Sequence, residues 1–301
     1  MSDAQLDAVR HRRAPLLILG DAGSGKTEVL VRRLVWLIEQ GHLAGEVLLL
    51  THGDRLADDL RARAEAALRG PHEEAAVYGV HGFCARLLAD EALGAGLDPF
   101  AVAATAADRL AMLLDRVDEL DLRHHDFRGR PAALLGSFVR RIDRLKDELV
   151  DGERYAAWTA ARSAQLPARE LEFAQIFLAH DRMLAERGAL DGGDLMLHAA
   201  RLLAGDPAVG ERVVRRWPVL LVDDWQELSF GEREVIRSLA RAGAALTAAA
   251  DDAARGGGAL EGATLIRLGS SLRCPPAVAA AAAAVLAGAA AGAVAAASVT
   301  G

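Results

Sequence analysis

The sequence predicts an α/β protein, a parallel sheet flanked by helices and broken by an all-helical insertion. Three observations carry this. Short apolar runs alternate with helical segments, the order that produces crossover helices and parallel strands. Hydrophobic residues make up 52% of the chain but aromatics only 4%; alanine supplies much of the rest, which suits helices around one apolar sheet better than an all-β fold. From about residue 92 to 188 the alternation stops and only helical periodicity remains.

Taken in order, "PLLILG" (15–20) is an apolar run followed by a glycine-rich loop and the helical "KTEVLVRRLVWLIEQG". This reads as strand, loop and helix. "EVLLLT" (46–51) is a second buried strand and "DRLADDLRARAEAAL" its helix. "AVYGVHGFCARLLADEAL" gives a brief strand and another helix. "DRLAMLLDRVDEL", "ALLGSFVRRIDRLKDELV", "GERYAAWTAARSA" and "ARELEFAQIFLAHDRMLAERG" are helical with no convincing strand between them. The sheet pattern resumes at "ALDGGDLMLHAARLL", continues in the strongly apolar "WPVLLVDDWQ" (217–226) and ends in the weaker "GAALTAAADD" (243–252). The expected organisation is a discontinuous sheet domain (1–91 and 189–276), a helical insertion (92–188) and an alanine-rich tail (277–301). "ARGGGALEGA" (254–263) reads as a loop.

A net charge of −7 over 301 residues excludes a global nucleic-acid field, so any such contact must be local. One local run exists. Residues 123–146 carry Arg123, Arg128, Arg130, Arg140, Arg141, Arg144 and Lys146 against Asp126 and Asp143; it reads equally as a solvated helix face or as a nucleic-acid contact. Two cysteines, Cys84 and Cys274, make neither a disulfide framework nor a metal cluster. Cys84 is expected buried and inert, and His124–His125 exposed rather than ligating. "MSDAQLDAVRHRR" places charges where an exported protein would need an apolar run, so a cytoplasmic location is expected. The stretch 277–299 is long enough to span a membrane, but it is mostly alanine without basic flanks or an aromatic belt. A soluble helix is the better reading.

Gly20–Thr27, "GDAGSGKT", fits G-x-x-x-x-G-K-[ST] between a strand and a helix. Its glycines let backbone N–H groups of Gly20, Asp21, Ala22, Gly23, Ser24 and Gly25 curl around phosphates, with the helix N-terminus adding partial positive charge. Lys26 would reach the β and γ oxygens and Thr27 would coordinate Mg²⁺. Lys26 is one of only two lysines beside 33 arginines, and a compact ammonium fits a closed phosphate pocket where a planar guanidinium does not. The second half of such a site is an acid at a neighbouring strand end. In "VLLVDDWQE", Asp223 would hold the Mg²⁺ shell and Asp224 would orient or deprotonate the attacking water. Two acids at a strand end can also simply face solvent; the apolar residues before them instead mark a central strand. The fold class is therefore a P-loop NTPase binding ATP and Mg²⁺.

Together these segments resemble the UvrD/PcrA/Rep family of superfamily 1 DNA helicases over about residues 3–280. "DAQLDAV" resembles that family's adenine-reading Q motif, which would place Gln5 on the base. "LTHGDRLADDL" resembles LTFTNKAA, "VHGFCARLL" resembles TFHSFCARLL, "ALDGGDLML" resembles LDFDDLL, "IDRLKDELV" resembles part of the helical second subdomain, and "LVDDWQE" resembles VDEFQD. The resemblance implies a RecA-like sheet and a 3′–5′ helicase acting on single-stranded DNA or a 3′-tailed duplex. It adds Gln226 to the nucleotide-facing set and places Thr51, His52, Arg55, His81 and Phe83 along the DNA path. Phe83 reads equally as ordinary packing beside a strand end, whereas for His81 the DNA path is the favoured reading. "RLGSSLRCPPAV" resembles NYRSPPAV, putting Arg273 where an arginine approaches the γ-phosphate.

Four departures from the family pattern bear on activity. Asp224 replaces the family's catalytic glutamate, and a retraction of an ångström can cost about a hundredfold in rate. The glutamine that senses the γ-phosphate falls at Ala254, although Asp251 and Asp252 survive. Gly79, Val80, Gly82 and His52 thin the expected base-stacking surface. Finally, about 28 residues follow Arg273, too few for a second RecA-like domain. The expectation is a protein that binds Mg·ATP and single-stranded DNA, hydrolyses slowly or only with a partner that supplies the second RecA-like domain, and does not unwind by itself. The alternative is a non-catalytic subunit of a larger helicase or helicase–nuclease. A small-molecule kinase would explain the phosphate loop but none of the other segments.

Overall fold

The structure is a computed structural model that describes residues 1–68, 73–91, 101–126, 129–251, 260–269, 271–275, 277–278, 280–281 and 284–285. Asp252, Ala254 and Arg128 lie outside the described residues, as does most of the alanine-rich tail. The chain divides into two compact units.

The first unit comprises Met1–Gly79, Val213–Leu228 and the described residues from Gly243 onward. Its strands are β1 (Leu16–Gly20), β2 (Val47–Thr51), β3 (Ala76–Gly79), β6 (Val219–Val222), β7 (Ala245–Asp251) and β8 (Thr264–Arg267). They form one sheet of order β3-β2-β6-β7-β1-β8 in which every pairing is parallel. The interior strands are buried on both faces, which is why they read as unbroken apolar runs. On one face Leu16, Ile18, Val47, Leu49, Val219 and Leu221 join a core with Val29, Leu30 and Leu34 of helix α2 (Lys26–Glu39) and Leu60 of α3 (Asp54–Ala67). The sequence reading lacks β8, because no apolar run announces it. Three of its four residues are exposed, and pairing with Leu16–Leu19 of β1 is what makes it a strand.

The second unit, Val80–Arg212 with Ser229–Ala242, is helical. It holds α4 (Val80–Asp90), α5 (Ala106–Asp115), α6 (Pro131–Asp147), α7 (Gly152–Ala160), α8 (Ala168–Glu186), α9 (Gly192–Gly205), the start of α10 (Pro207–Arg216) and α11 (Phe230–Arg241). The unit is thus wider than the 92–188 stretch read from periodicity, since α4, α9 and α11 belong to it. It also contains a strand pair absent from that reading, β4 (Val102–Ala103) and β5 (Ala189–Leu190). Met112, Leu113, Phe138, Ile142, Phe173 and Phe177 form its core.

At one end of that core lies a buried charge cluster. Lys146 is fully buried, and its Nζ is 3.0 Å from Asp181, 3.0 Å from Asp191 and 2.6 Å from Asp194. Arg109 pairs with Asp143 and Asp191 at 2.7 and 3.0 Å, and His180 bonds Asp181 at 3.0 Å. Burial opposes the lysine charge, but Asp191, Asp194 and Asp181 outweigh it and hold the ammonium pKa above its ordinary range. Among the described residues no helix is long and apolar enough to cross a membrane.

Candidate nucleotide-binding site

The loop after β1 is shaped by backbone that only glycine adopts readily. Gly23 has φ 81° and Gly25 φ 91°, the left-handed region that L side chains avoid. A turn bond from Ser24 N to Asp21 O (3.0 Å) tightens the curve, and Gly25 O accepts the first bond of α2 from Val29 N (2.9 Å). The first N–H groups of α2 therefore have no intrahelical acceptor and carry the positive end of the helix dipole. Lys26 opens this helix and is buried. Its ammonium donates to Gly20 O (3.0 Å), Asp21 O (3.2 Å) and Asp251 Oδ1 (2.5 Å).

Sheet order assembles the acids. β6 and β1 flank β7, so the ends of three adjacent strands present Asp223, Asp251 and Gly20, the arrangement that puts ligands at the carboxyl ends of parallel strands. Asp223 N donates to Leu50 O at 2.9 Å, anchoring the strand end. Its side chain is 3% exposed. Burial, with the neighbouring Asp224 charge, pushes its pKa up to about 6, against a hydrogen bond from Thr27 and the Lys26 charge. Asp223 Oδ1 is buried without a hydrogen-bond partner, and so is Ser24 Oγ. A buried carboxylate oxygen with no donor, beside a hydroxyl, suits a hard cation whose other ligands are phosphate oxygens and water. Thr27 and Asp223 are the residues that would hold Mg²⁺. Among the described residues no group of three or more His, Cys, Asp or Glu is arranged to hold a metal ion.

Asp224 follows with φ 47° and ψ 47°, an uncommon conformation for a non-glycine residue. Gln226 donates to Asp224 Oδ1 (3.3 Å) and accepts from Asp251 N (3.0 Å). In this conformation it ties the strand-end acids together, a role not visible in its motif. Arg273 lies against the loop: Leu272 N donates to Gly23 O (2.9 Å), and a Cβ at Gly23 would come within 2.8 Å of Arg273 Cβ. The structure thus brings Lys26, Thr27, Asp223, Asp224, Gln226 and Arg273 to the same end of the sheet unit.

Gln5 is buried, its carboxamide oxygen accepts from Ser2 N (2.8 Å) and its nitrogen donates to Ser24 O (2.9 Å). In this conformation it braces the phosphate loop. Arg33 supports it from the other end of α1 (Asp3–Arg10), donating to Ala8 O and Val9 O; burial pulls its pKa down to about 10. Phe83 is 0% exposed, enclosed by packing in this conformation. Thr51 is buried at the end of β2, whereas His52 and Arg55 are exposed. His81, one-third exposed, lies 3.7 Å from the buried Glu232 of α11.

The basic run is also less positive than its composition. Arg123 pairs with Asp121, Arg141 with Glu170 and Lys146 with Asp181, Asp191 and Asp194; Arg140 and Arg144 remain exposed. Cys84 is buried as expected, its thiol pKa pushed up to about 12 by desolvation and by Glu232. His125 is less exposed than expected and bonds Glu172 at 2.9 Å.

A parallel sheet with this loop, this lysine and an acid on a nearby strand end defines a P-loop NTPase of RecA-like type. Residues 1–253 match the UvrD/REP helicase N-terminal domain family, and the chain belongs to it. The ATP-dependent DNA helicase UvrD1 of Mycobacterium leprae (strain TN) is 30% identical over 250 residues, 81% of this chain and 31% of that protein. UvrD2 of Mycobacterium tuberculosis (strain ATCC 25618 / H37Rv) is 28% identical over 253 residues, covering 78% and 34%. PcrA of Bacillus subtilis (strain 168) is 24% identical over 241 residues, covering 80% and 31%. The chain spans about a third of the length of these relatives.

Proposed function

We propose that this chain binds Mg·ATP at the phosphate loop and single-stranded DNA on neighbouring surfaces, as the ATP-binding portion of a 3′–5′ UvrD-like DNA motor. The observation that carries the reading is the convergence of Lys26, Thr27 and Asp223, the last with an unpartnered buried oxygen, at the ends of nearby parallel strands. The loop amides and Lys26 hold the phosphates, Thr27 and Asp223 hold the magnesium ion, and Asp224 orients water. Bound magnesium would supply charge neutralisation on the transferred phosphoryl group. Arg273, whose Cβ lies beside Gly23, would approach the same phosphates.

Hydrolysis by this chain alone is slow in this reading, because Asp224 carries one methylene less than the family's glutamate and is held back by Gln226. An arginine finger presented by a second RecA-like domain would raise it, since such a finger can be worth about 10³–10⁵ in rate. His52 and Arg55 are the DNA-facing groups favoured in the sheet unit and His81 in the helical unit.

The test combines nucleotide titration, single-turnover hydrolysis with and without single-stranded DNA, and unwinding of a 3′-tailed duplex. Micromolar binding, weak DNA-stimulated hydrolysis and no unwinding are expected. Robust unwinding by the chain alone would reject the slow-motor reading, and no nucleotide binding would favour a non-catalytic subunit.

A further inference from the structure

An ammonium has three N–H donors, and all three of Lys26 are taken within the protein. Two go to the loop's own carbonyls, Gly20 O and Asp21 O. The third goes to Asp251 Oδ1 at 2.5 Å, the shortest of the three and the only one to a charged acceptor. Asp251 is 225 positions away in sequence, yet parallel pairing of β1 with β7 sets it opposite Gly20. Its carboxylate is 36% exposed, so water reaches it and can solvate it if the lysine leaves. Asp251 N is held by Gln226 Oε1, whose amide also holds Asp224.

We propose that Asp251 is a built-in stand-in for phosphate, an exchangeable latch on Lys26 that an incoming nucleoside triphosphate must displace. This rests on the nucleotide-site reading above and adds its regulation. Before binding, the Asp251 carboxylate satisfies a buried ammonium that would otherwise be costly to leave unpaired and keeps the Lys26 stem drawn toward β7. Binding exchanges one anionic oxygen for another on the same nitrogen. The displaced carboxylate moves into solvent, and the exchange is felt at Asp224 because Gln226 bonds both strand ends. The latch lowers apparent affinity by the fraction of molecules in which Lys26 is already free. It also makes nucleotide binding report directly on the acid that orients water.

The experiment exploits the two-lysine composition. In protein labelled with ¹⁵N-lysine only Lys26 and Lys146 contribute ammonium signals. Asp251→Asn should shift the Lys26 signal in nucleotide-free protein and leave Lys146 unchanged. With adenosine 5′-(β,γ-imido)triphosphate and magnesium, Asp251→Asn should bind about tenfold tighter than the parent. That gain should vanish in the Lys26→Met background, since the latch needs its lysine. A gain that survives Lys26→Met would mean simple removal of a repulsive charge, and an unchanged Lys26 signal would mean no latch; either overturns the proposal while the nucleotide site stands. If the Lys26 signal responds to Asp251→Asn but the parent binds no nucleotide, the site reading fails, and with it the latch as a phosphate stand-in.

Discussion

The chain's two lysines occupy opposite kinds of buried site. Lys146 is fully enclosed in the helical unit and faces three carboxylates, Asp181 on α8, Asp194 on α9 and Asp191 capping α9. Its stem presses on Gly193, where a Cβ would come within 2.8 Å of Lys146 Cδ. Lys26 is nearly as buried but faces one carboxylate and two carbonyls, beside an Asp223 oxygen with no donor. Negative charge is abundant around the first lysine and its partners are fixed by packing; around the second it is scarce and partly open to water. A charge hub with no free acceptor builds structure, and one with exchangeable partners awaits a ligand. The two sites should therefore fail in different ways.

The largest expected effect is at Lys146. Lys146→Met removes the cation shared by buried Asp191 and half-buried Asp181 and Asp194 and should cost about 3–5 kcal/mol. Hydrogen exchange should accelerate across α6, α8 and α9. Lys146→Arg should not restore stability, because the planar fork needs room that the Gly193 contact denies it. Unchanged denaturation of Lys146→Met would show that the cluster contributes little and break the comparison. Lys26→Ala should show the reverse profile. Nucleotide affinity should fall about 100-fold, near the top of the 1.5–3 kcal/mol range for a charge-assisted hydrogen bond. Stability in urea should move by less than about 1 kcal/mol, because Asp251 is left partly solvated.

Acid separates Asp223 by sign from two of the three carboxylates around Lys146, Asp181 and Asp191, while burial raises Asp194 as it raises Asp223. The Asp223 pKa is raised to about 6, above the ordinary 3.8, chiefly by burial. The folded state therefore binds its proton more tightly, and the cost of burying the ionised carboxylate is absent below about pH 4, grows as pH rises and is complete above about pH 6. Asp181 and Asp191 are held below their ordinary range: burial opposes this, but the His180 bond with Lys146 in one case, and Lys146 with Arg109 in the other, prevail. Their stabilisation is present above about pH 4 and is lost as pH falls through the lowered folded values. Asp223→Asn should stabilise nucleotide-free protein by up to about 3 kcal/mol at pH 8 and by little at pH 4, while abolishing the magnesium-dependent part of nucleotide affinity. Urea melts across that pH range check the first statement, and titrations with and without magnesium the second. A variant destabilised at pH 8 would mean that a donor already satisfies Asp223.

Much of this contrast was legible in the sequence, and the reasons it was partial are physical. "PLLILG", "EVLLLT" and "WPVLLV" betray buried parallel strands because both faces must be apolar, and Lys26, Thr27 and Asp223 follow from the loop and the strand end. β8 escaped because "TLIR" is mostly exposed and gains its structure from an edge rather than from burial. Gln5, Asp251 and Lys146 are ordinary letters whose partners lie 19, 225 and 35 to 48 positions away, and local pattern does not encode such pairing. The scarcity of lysine was the one available clue to Lys146. Phe83 was ambiguous because an aromatic on an amphipathic helix shows its period and not which neighbour covers it.

The smallest expected effects concern DNA, and they ask whether exposure or motif position predicts a contact. His52 and Arg55 follow β2 in the open, whereas Phe83 is enclosed although its motif places it on the same path. Arg55→Ala removes one exposed charge, so affinity for single-stranded DNA should fall only about three- to fivefold, with a shallower dependence on salt because one fewer counterion is released. Phe83→Leu, which keeps an apolar side chain in the core, should leave affinity unchanged and cost about 1 kcal/mol of stability. Base stacking on an aromatic is worth about 1–3 kcal/mol, so a true stacking role for Phe83 would appear as a fivefold or larger loss of affinity. Fluorescence anisotropy with an oligothymidylate at two salt concentrations distinguishes the cases. A Phe83→Leu loss larger than that of Arg55→Ala would mean that α4 opens to admit the strand, and burial in the free protein would then be no guide to the DNA-bound surface.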